Sequence, residues 1–185
     1  VFELFQQCYK ESYLKIESYY NIKKDDMRST FLRFMSHLLE QVVQMQQTGN
    51  KNEIEWMSFF YLRSSIITGI DTIQIQLFDQ TMYFDKQEVY GLYYPSFVMV
   101  HYREDMMFIK DKVRRNVVGV REFMMNTLDI KLAPFYFLLS IQYCQYWMKD
   151  VIQLPIFERM KKSEEFRVTF GEYMEEQFEL SSNIA

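Results

Sequence analysis

Two short patterns carry side chains whose types and spacing suit metal chemistry: His37-Leu38-Leu39-Glu40 and His101-Tyr102-Arg103-Glu104. In each, a histidine precedes a glutamate by three residues. On a helix the two side chains then share a face and could bind one ion. His37, Glu40, His101 and Glu104 are therefore the candidate metal ligands, and a metal-dependent helical enzyme built on them is one functional reading. Helical di-metal carboxylate proteins use the opposite order, Glu-x-x-His, with further carboxylates from other helices. The reversed order here, with no evident inward-facing glutamate to complete a set, favours two histidines that simply neighbour a glutamate. The expectation is no bound metal and no cofactor.

Other reactive groups are sparse. Cys8 and Cys144 lie far apart in the chain, and nothing places either beside a histidine as nucleophilic catalysis requires. The sequence has no GxxxxGK[ST] or GxGxxG phosphate cradle and no GxSxG elbow. Neighbouring carboxylates such as Asp79 with Asp85, or Glu104 with Asp105, are expected by chance among 25 acidic residues. No catalytic residue is assigned, and the chain reads as a non-enzyme.

A cluster of aromatic residues in polar surroundings carries more content. Tyr83, Phe84, Tyr90, Tyr93 and Tyr94 crowd one segment beside Asp79, Asp85 and Glu88. Tyrosine is enriched in interface hot spots because it offers area and a hydroxyl at low entropic cost. These eight residues are the candidate partner-binding set, suited to a basic protein whose approach the acidic side chains would steer. The plainer alternative is that the rings seal this segment onto the rest of the protein.

The elements that must position these residues follow from the hydrophobic pattern. Spacings of three and four predict a helix over about Phe2 to Tyr20, a polar break from Asn21 to Asp26, and a second helix to about Gln47, with Gly49 as its stop. Asn52 with Glu55 resembles a capping box for a third, central helix running through Trp56 to Gly69. Strict alternation in Thr72 to Leu77 predicts a strand, with Met82-Tyr83-Phe84 returning as its partner and Glu88 to Tyr94 as a third extended piece. Helices are then expected from about Phe97 to Asn126, from Pro134 as an N1 proline to Gln153, over Ile156 to Lys161, and from Ser163 onward with Phe166, Phe170, Tyr173, Met174 and Phe178 on one face. Alternation in Phe166 to Phe170 leaves a strand as the lesser reading of that last segment. The predicted fold is mainly α: a bundle-like single domain over residues 1–185 with a small antiparallel β-hairpin insertion at about 72–94.

Composition bounds the function. Aromatic residues make up 18% of the chain and there are 13 Met, which predicts a bulky, adaptable core. A net charge of −4, with basic pairs scattered singly, argues against nucleic acid as a partner. No apolar run approaches the roughly 18 residues of a membrane span. Two unpaired-looking cysteines fit reduced thiols in a cytoplasmic protein. The chain starts at Val1, so any preceding segment is unseen.

Trp56-Met57-Ser58-Phe59-Phe60-Tyr61-Leu62-Arg63-Ser64-Ser65-Ile66, followed by Leu77-Phe78-Asp79, Tyr83-Phe84-Asp85 and Phe170-Gly171-Glu172-Tyr173-Met174, resembles segments of small uncharacterised proteins of Gram-positive bacteria. Those proteins look like the immunity partners of polymorphic or secreted toxins. The resemblance spans about Trp56 to Glu176 and brings no active-site pattern. It implies a cytoplasmic protein that neutralises a toxin domain by binding and occluding it. The alternative from composition is a regulatory helical domain that holds an apolar ligand among Phe and Met side chains.

Overall fold

The computed structural model describes residues 1–175 and 177–179. Its first element is a single helix, α1 (Phe2–Gln47), of 46 residues. The predicted break at Asn21 to Asp26 does not occur. No Gly or Pro lies between Phe2 and Gln47, and each exposed Asn, Lys or Asp costs a helix only tenths of a kcal/mol. The buried stripe runs through Phe5, Cys8, Ser12 and Ile16, lapses, and resumes at Phe31. Ile16 and Phe31 stand about four helical turns apart, so both ends of the helix are held from nearly the same side. Across the lapse, Arg28 clamps Asp150 with two hydrogen bonds of 2.7 and 2.8 Å. Gly49 follows the helix at φ 73°, the left-handed conformation expected of a stop.

The next segment overturns the mainly α expectation. Ile54–Tyr61 is a strand, β1, followed by a short helix, α2 (Arg63–Thr68). It is the central strand of a five-stranded mixed sheet of order β3-β2-β1-β4-β5, with β2 Ile73–Phe78, β3 Val89–Tyr93, β4 Lys162–Glu172 and β5 Gln177–Glu179. The fold is α+β, and neither the bundle with a hairpin insertion nor the all-α reading holds. The error has a physical cause: a strand covered on both faces reads as a continuous apolar run, which periodicity cannot separate from a buried helix. Met57, Ser58, Phe59 and Phe60 are all buried.

The strand predicted at residues 72–77 is present as β2, but its antiparallel partner is β3 rather than Met82–Phe84, which forms a 3₁₀ turn. The last segment takes the strand reading: β4 lies parallel to β1, with Phe59 opposite Phe170. Buried Gln46 holds the start of this pairing. Its amide donates to the carbonyls of Lys161 and Asn52, both at 2.9 Å, and its oxygen accepts the Lys161 N–H at 2.9 Å.

The remaining helices are α3 (Ser96–Asn116), α4 (Glu122–Val151) and α5 (Pro155–Arg159). The fourth predicted helix ends sooner than expected, and Pro134 lies inside α4 instead of opening a helix. Helices α1, α3 and α4 share one hydrophobic cluster with Met57, Phe59, Ile73, Ile75 and Phe170, which belong to one face of the sheet. Close approach is visible at Gly91, where a β-carbon would lie 2.6 Å from the Phe34 ring of α1.

Candidate partner-binding surface and the adjoining cleft

The segment from Asp79 to Glu88 is built around two carboxylates and one ammonium. Lys51, from the α1–β1 connection, pairs with Asp85 where both side chains are buried, and donates to the Gln87 carbonyl at 2.7 Å. Asp85 also accepts the backbone N–H groups of Asp79 and Gln87, each at 3.0 Å. Asp79 accepts from Asn52 Nδ2 and from the Thr81 N–H, both at 2.8 Å. Burial alone would raise the Asp79 pKa, but the hydrogen bonds from Thr81 and Asn52, with the nearby Lys51 charge, outweigh it and hold it below the ordinary carboxylate value. Both carboxylates thus face inward and shape the segment.

The aromatic candidates separate by burial. The Tyr83 ring packs edge-on to Phe78 and Tyr173, with centroids 5.5 Å away in each case, and its hydroxyl accepts the Met174 N–H at 3.3 Å. Tyr93 is buried against Phe31 and Phe34 of α1. Burial pushes the phenols of both above the ordinary range. Phe84, in contrast, is 86% exposed, Tyr90 and Tyr94 are each 49% exposed, and Glu88 is exposed. Within β3, alternation places Tyr90 and Tyr93 on opposite faces, since residues one apart in a strand point to opposite faces.

Register continues this face across the sheet, where it becomes buried at Gln76, Ser58 and Thr169. Tyr90 pairs with Gln76 and Leu92 with Gln74, so all four lie on the face opposite the helical core. Ser58 pairs with Gln76 and with Thr169, and Trp56 with Arg167, which adds these residues to the same face. Ser58 and Thr169 share a hydrogen bond of 2.8 Å, and the Arg167 guanidinium lies 5.3 Å from the Trp56 ring centre. Leu92, 49% exposed beside Tyr90, was missed by sequence reasoning, although its place in the alternation of β3 was available to find it. Trp56 and Arg167 become neighbours only through the parallel β1–β4 pairing. Among the described residues, β3 pairs with a strand on one side only and so forms an edge of the sheet.

Beside this edge a cleft of about 720 Å³ opens where the buried stripe of α1 lapses, between α1, the end of β3 and the start of α3. Lys15, Tyr19 and Lys23 line one wall, and Tyr94, Phe97 and His101 the other. His101 Nδ1 is buried without a hydrogen-bond partner, with Glu104 Oε2 at 3.5 Å. His37 is exposed on α1, with Gln41 Nε2 at 3.2 Å from its Nε2. Among the described residues no group of three or more His, Cys, Asp or Glu side chains could hold a metal, so His37 with Glu40 and His101 with Glu104 remain two separate pairs.

Buried Asp71 and Asp129 and half-buried Asp105 are also engaged. Asp71 pairs with Arg103, Asp129 with Lys110, and Asp105 accepts the Tyr136 hydroxyl. Cys8 and Cys144 are free and buried, and burial raises both thiol pKa values, which keeps them protonated at neutral pH. Among the described residues, no helix is long and apolar enough to cross a membrane. No family model, curated protein or solved structure matches the chain.

Proposed function

We propose that the chain is a protein-binding module, most concretely a cytoplasmic immunity protein that binds a toxin domain and occludes it. The observation that carries this reading is the edge strand β3, where Tyr90 and Leu92, flanked by Phe84 and Tyr94, hold large apolar side chains about half exposed or more. Such an edge offers unpaired backbone groups for strand addition and side-chain pockets for specificity. It also lacks a lysine or proline within Val89–Tyr93 that would discourage pairing. Exposed Glu88 at its start suits a basic partner.

The test is to co-express the chain with each product of the genes that flank its own. The expected result is one product that is toxic alone, is neutralised by this chain, and forms a stable complex with it. The double variant Tyr90→Ala/Leu92→Asp should weaken that complex by about 2 kcal/mol or more. Flanking products that are harmless, or whose toxicity the chain leaves unchanged, would defeat the immunity reading.

A second reading, a domain that binds a small apolar molecule, is favoured by the cleft, whose volume falls within the roughly 300–1,000 Å³ of ligand sites. Thermal stabilisation by amphipathic aryl ligands, abolished by Phe97→Asp, is the expected result under that reading.

A further inference from the structure

The α3–α4 hairpin ends in a tip unlike the rest of the surface. From Arg114 to Met124 no residue is buried. Yet the segment holds Val117, Val118, Phe123 and Met124, exposed by 48%, 102%, 64% and 42%, with Gly119 at φ 79° turning the chain between the helices. About two turns before Arg114 on α3, Met107 and Phe108 are exposed as well. Cations flank Val117, Val118, Phe123 and Met124. Over residues 111–124 the cationic groups are Lys112, Arg114, Arg115 and Arg121, and the anionic ones are Asp111 and Glu122. The tip is therefore net positive on a chain whose formal charge is −4. Arg114 meets Glu122 at 3.1 Å and Arg115 meets Asp111 at 2.9 Å, while Lys112 lies 5.4 Å from the Phe108 ring centre.

We propose that this tip docks the protein on an anionic lipid surface, with Val117, Val118 and Phe123 entering the headgroup boundary and the surrounding cations facing lipid phosphates. Three observations select this occupant. The tip is small, residues 111–124, whereas a stable protein interface takes about 20–30 residues a side. A second copy would bring two net-positive tips together, at an electrostatic cost. A bilayer asks for no shape complementarity, only apolar side chains that reach past the headgroups and cations beside them, the pattern of interfacial protein segments. The acidic remainder of the chain would orient the molecule with its tip toward the negative surface. This inference is independent of the partner reading for β3.

Sedimentation with lipid vesicles tests it, using neutral phosphatidylcholine vesicles and vesicles containing 30% phosphatidylglycerol, on the whole chain. The expected result is binding to the anionic vesicles at least about tenfold tighter than to the neutral ones and weakened by salt, since the cations act through a screened field. Val118→Asp/Phe123→Asp should lose that binding by about tenfold or more while keeping the far-ultraviolet circular dichroism of the parent, because both positions are exposed. Equal partition to both vesicle types, or undiminished binding by the variant, overturns the proposal. So does oligomerisation that the variant abolishes, which would assign the tip to self-association.

Discussion

Tyr90 and Tyr93 lie within one short strand but face opposite sides of the sheet, and substitution separates their roles. Tyr93→Ala empties a buried site against Phe31 and Phe34 and should cost about 3 kcal/mol in urea unfolding. Tyr90→Ala should change stability by no more than about 0.5 kcal/mol while reducing affinity for the partner. Lys51 is a sharper case. Lys51→Ala leaves the Asp85 carboxylate buried without its cation, and the expected loss is about 3–5 kcal/mol, read from the urea midpoint. Asp79 and Asp150 contribute to acid sensitivity: both have pKa values below the ordinary 3.8, Asp150 chiefly through its hydrogen bonds from Arg28. Their folded forms bind protons less readily than the unfolded chain. Their contribution is therefore present above about pH 4 and is lost as pH falls through the lowered values. Thermal midpoints measured from pH 6 down to pH 2.5 should fall, and should fall less steeply in Asp79→Asn and Asp150→Asn.

At the scale of elements, α1 is decided by what surrounds it rather than by its own polar middle. Lys24 is exposed within the run where a break was expected, so a substitution there tests continuity alone. Lys24→Pro removes one intrahelical hydrogen bond and drives its ring into the preceding turn. A continuous helix predicts a loss of about 3 kcal/mol or more with reduced helical circular dichroism, whereas a loop at this point would tolerate proline. The same reasoning governs Pro134. Inside α4 it is held by buried neighbours on both sides, including Ala133, Tyr136 and Phe137, which offset the missing hydrogen bond.

For the molecule as a whole, tyrosines packed among rings make the fold sensitive to alkali. Burial first, with Tyr13 and Glu17 nearby, pushes the Tyr143 phenol up to about 12, and Tyr93, Tyr102 and Tyr136 also stand above their ordinary range. A folded pKa above the unfolded 10.0 favours the neutral phenol in the fold. That stability is complete below pH 10 and is lost between pH 10 and about 12. Unfolding temperatures should therefore drop steeply across this window, with the phenolate absorbance of the buried tyrosines appearing together with unfolding. A phenolate signal that accounts for all 14 tyrosines while the fold stays intact would contradict the burial of these rings.

The sequence by itself determined what local spacing controls. The alternation of β2, the helical stripes of α1 at both ends, the stop at Gly49 and the density of rings near β3 were all legible, because neighbours in the chain alone set them. Which candidate residues would be exposed was not legible, since Asp79 and Asp85 turn inward only when Lys51 and Asn52 arrive from another element. The tertiary structure alone decided that Ile54–Tyr61 is a strand and that β4 lies parallel to it. Two buried faces erase the period that would reveal a strand, and parallel pairing across roughly a hundred residues depends on contacts such as Gln46 with Lys161, which no local pattern encodes.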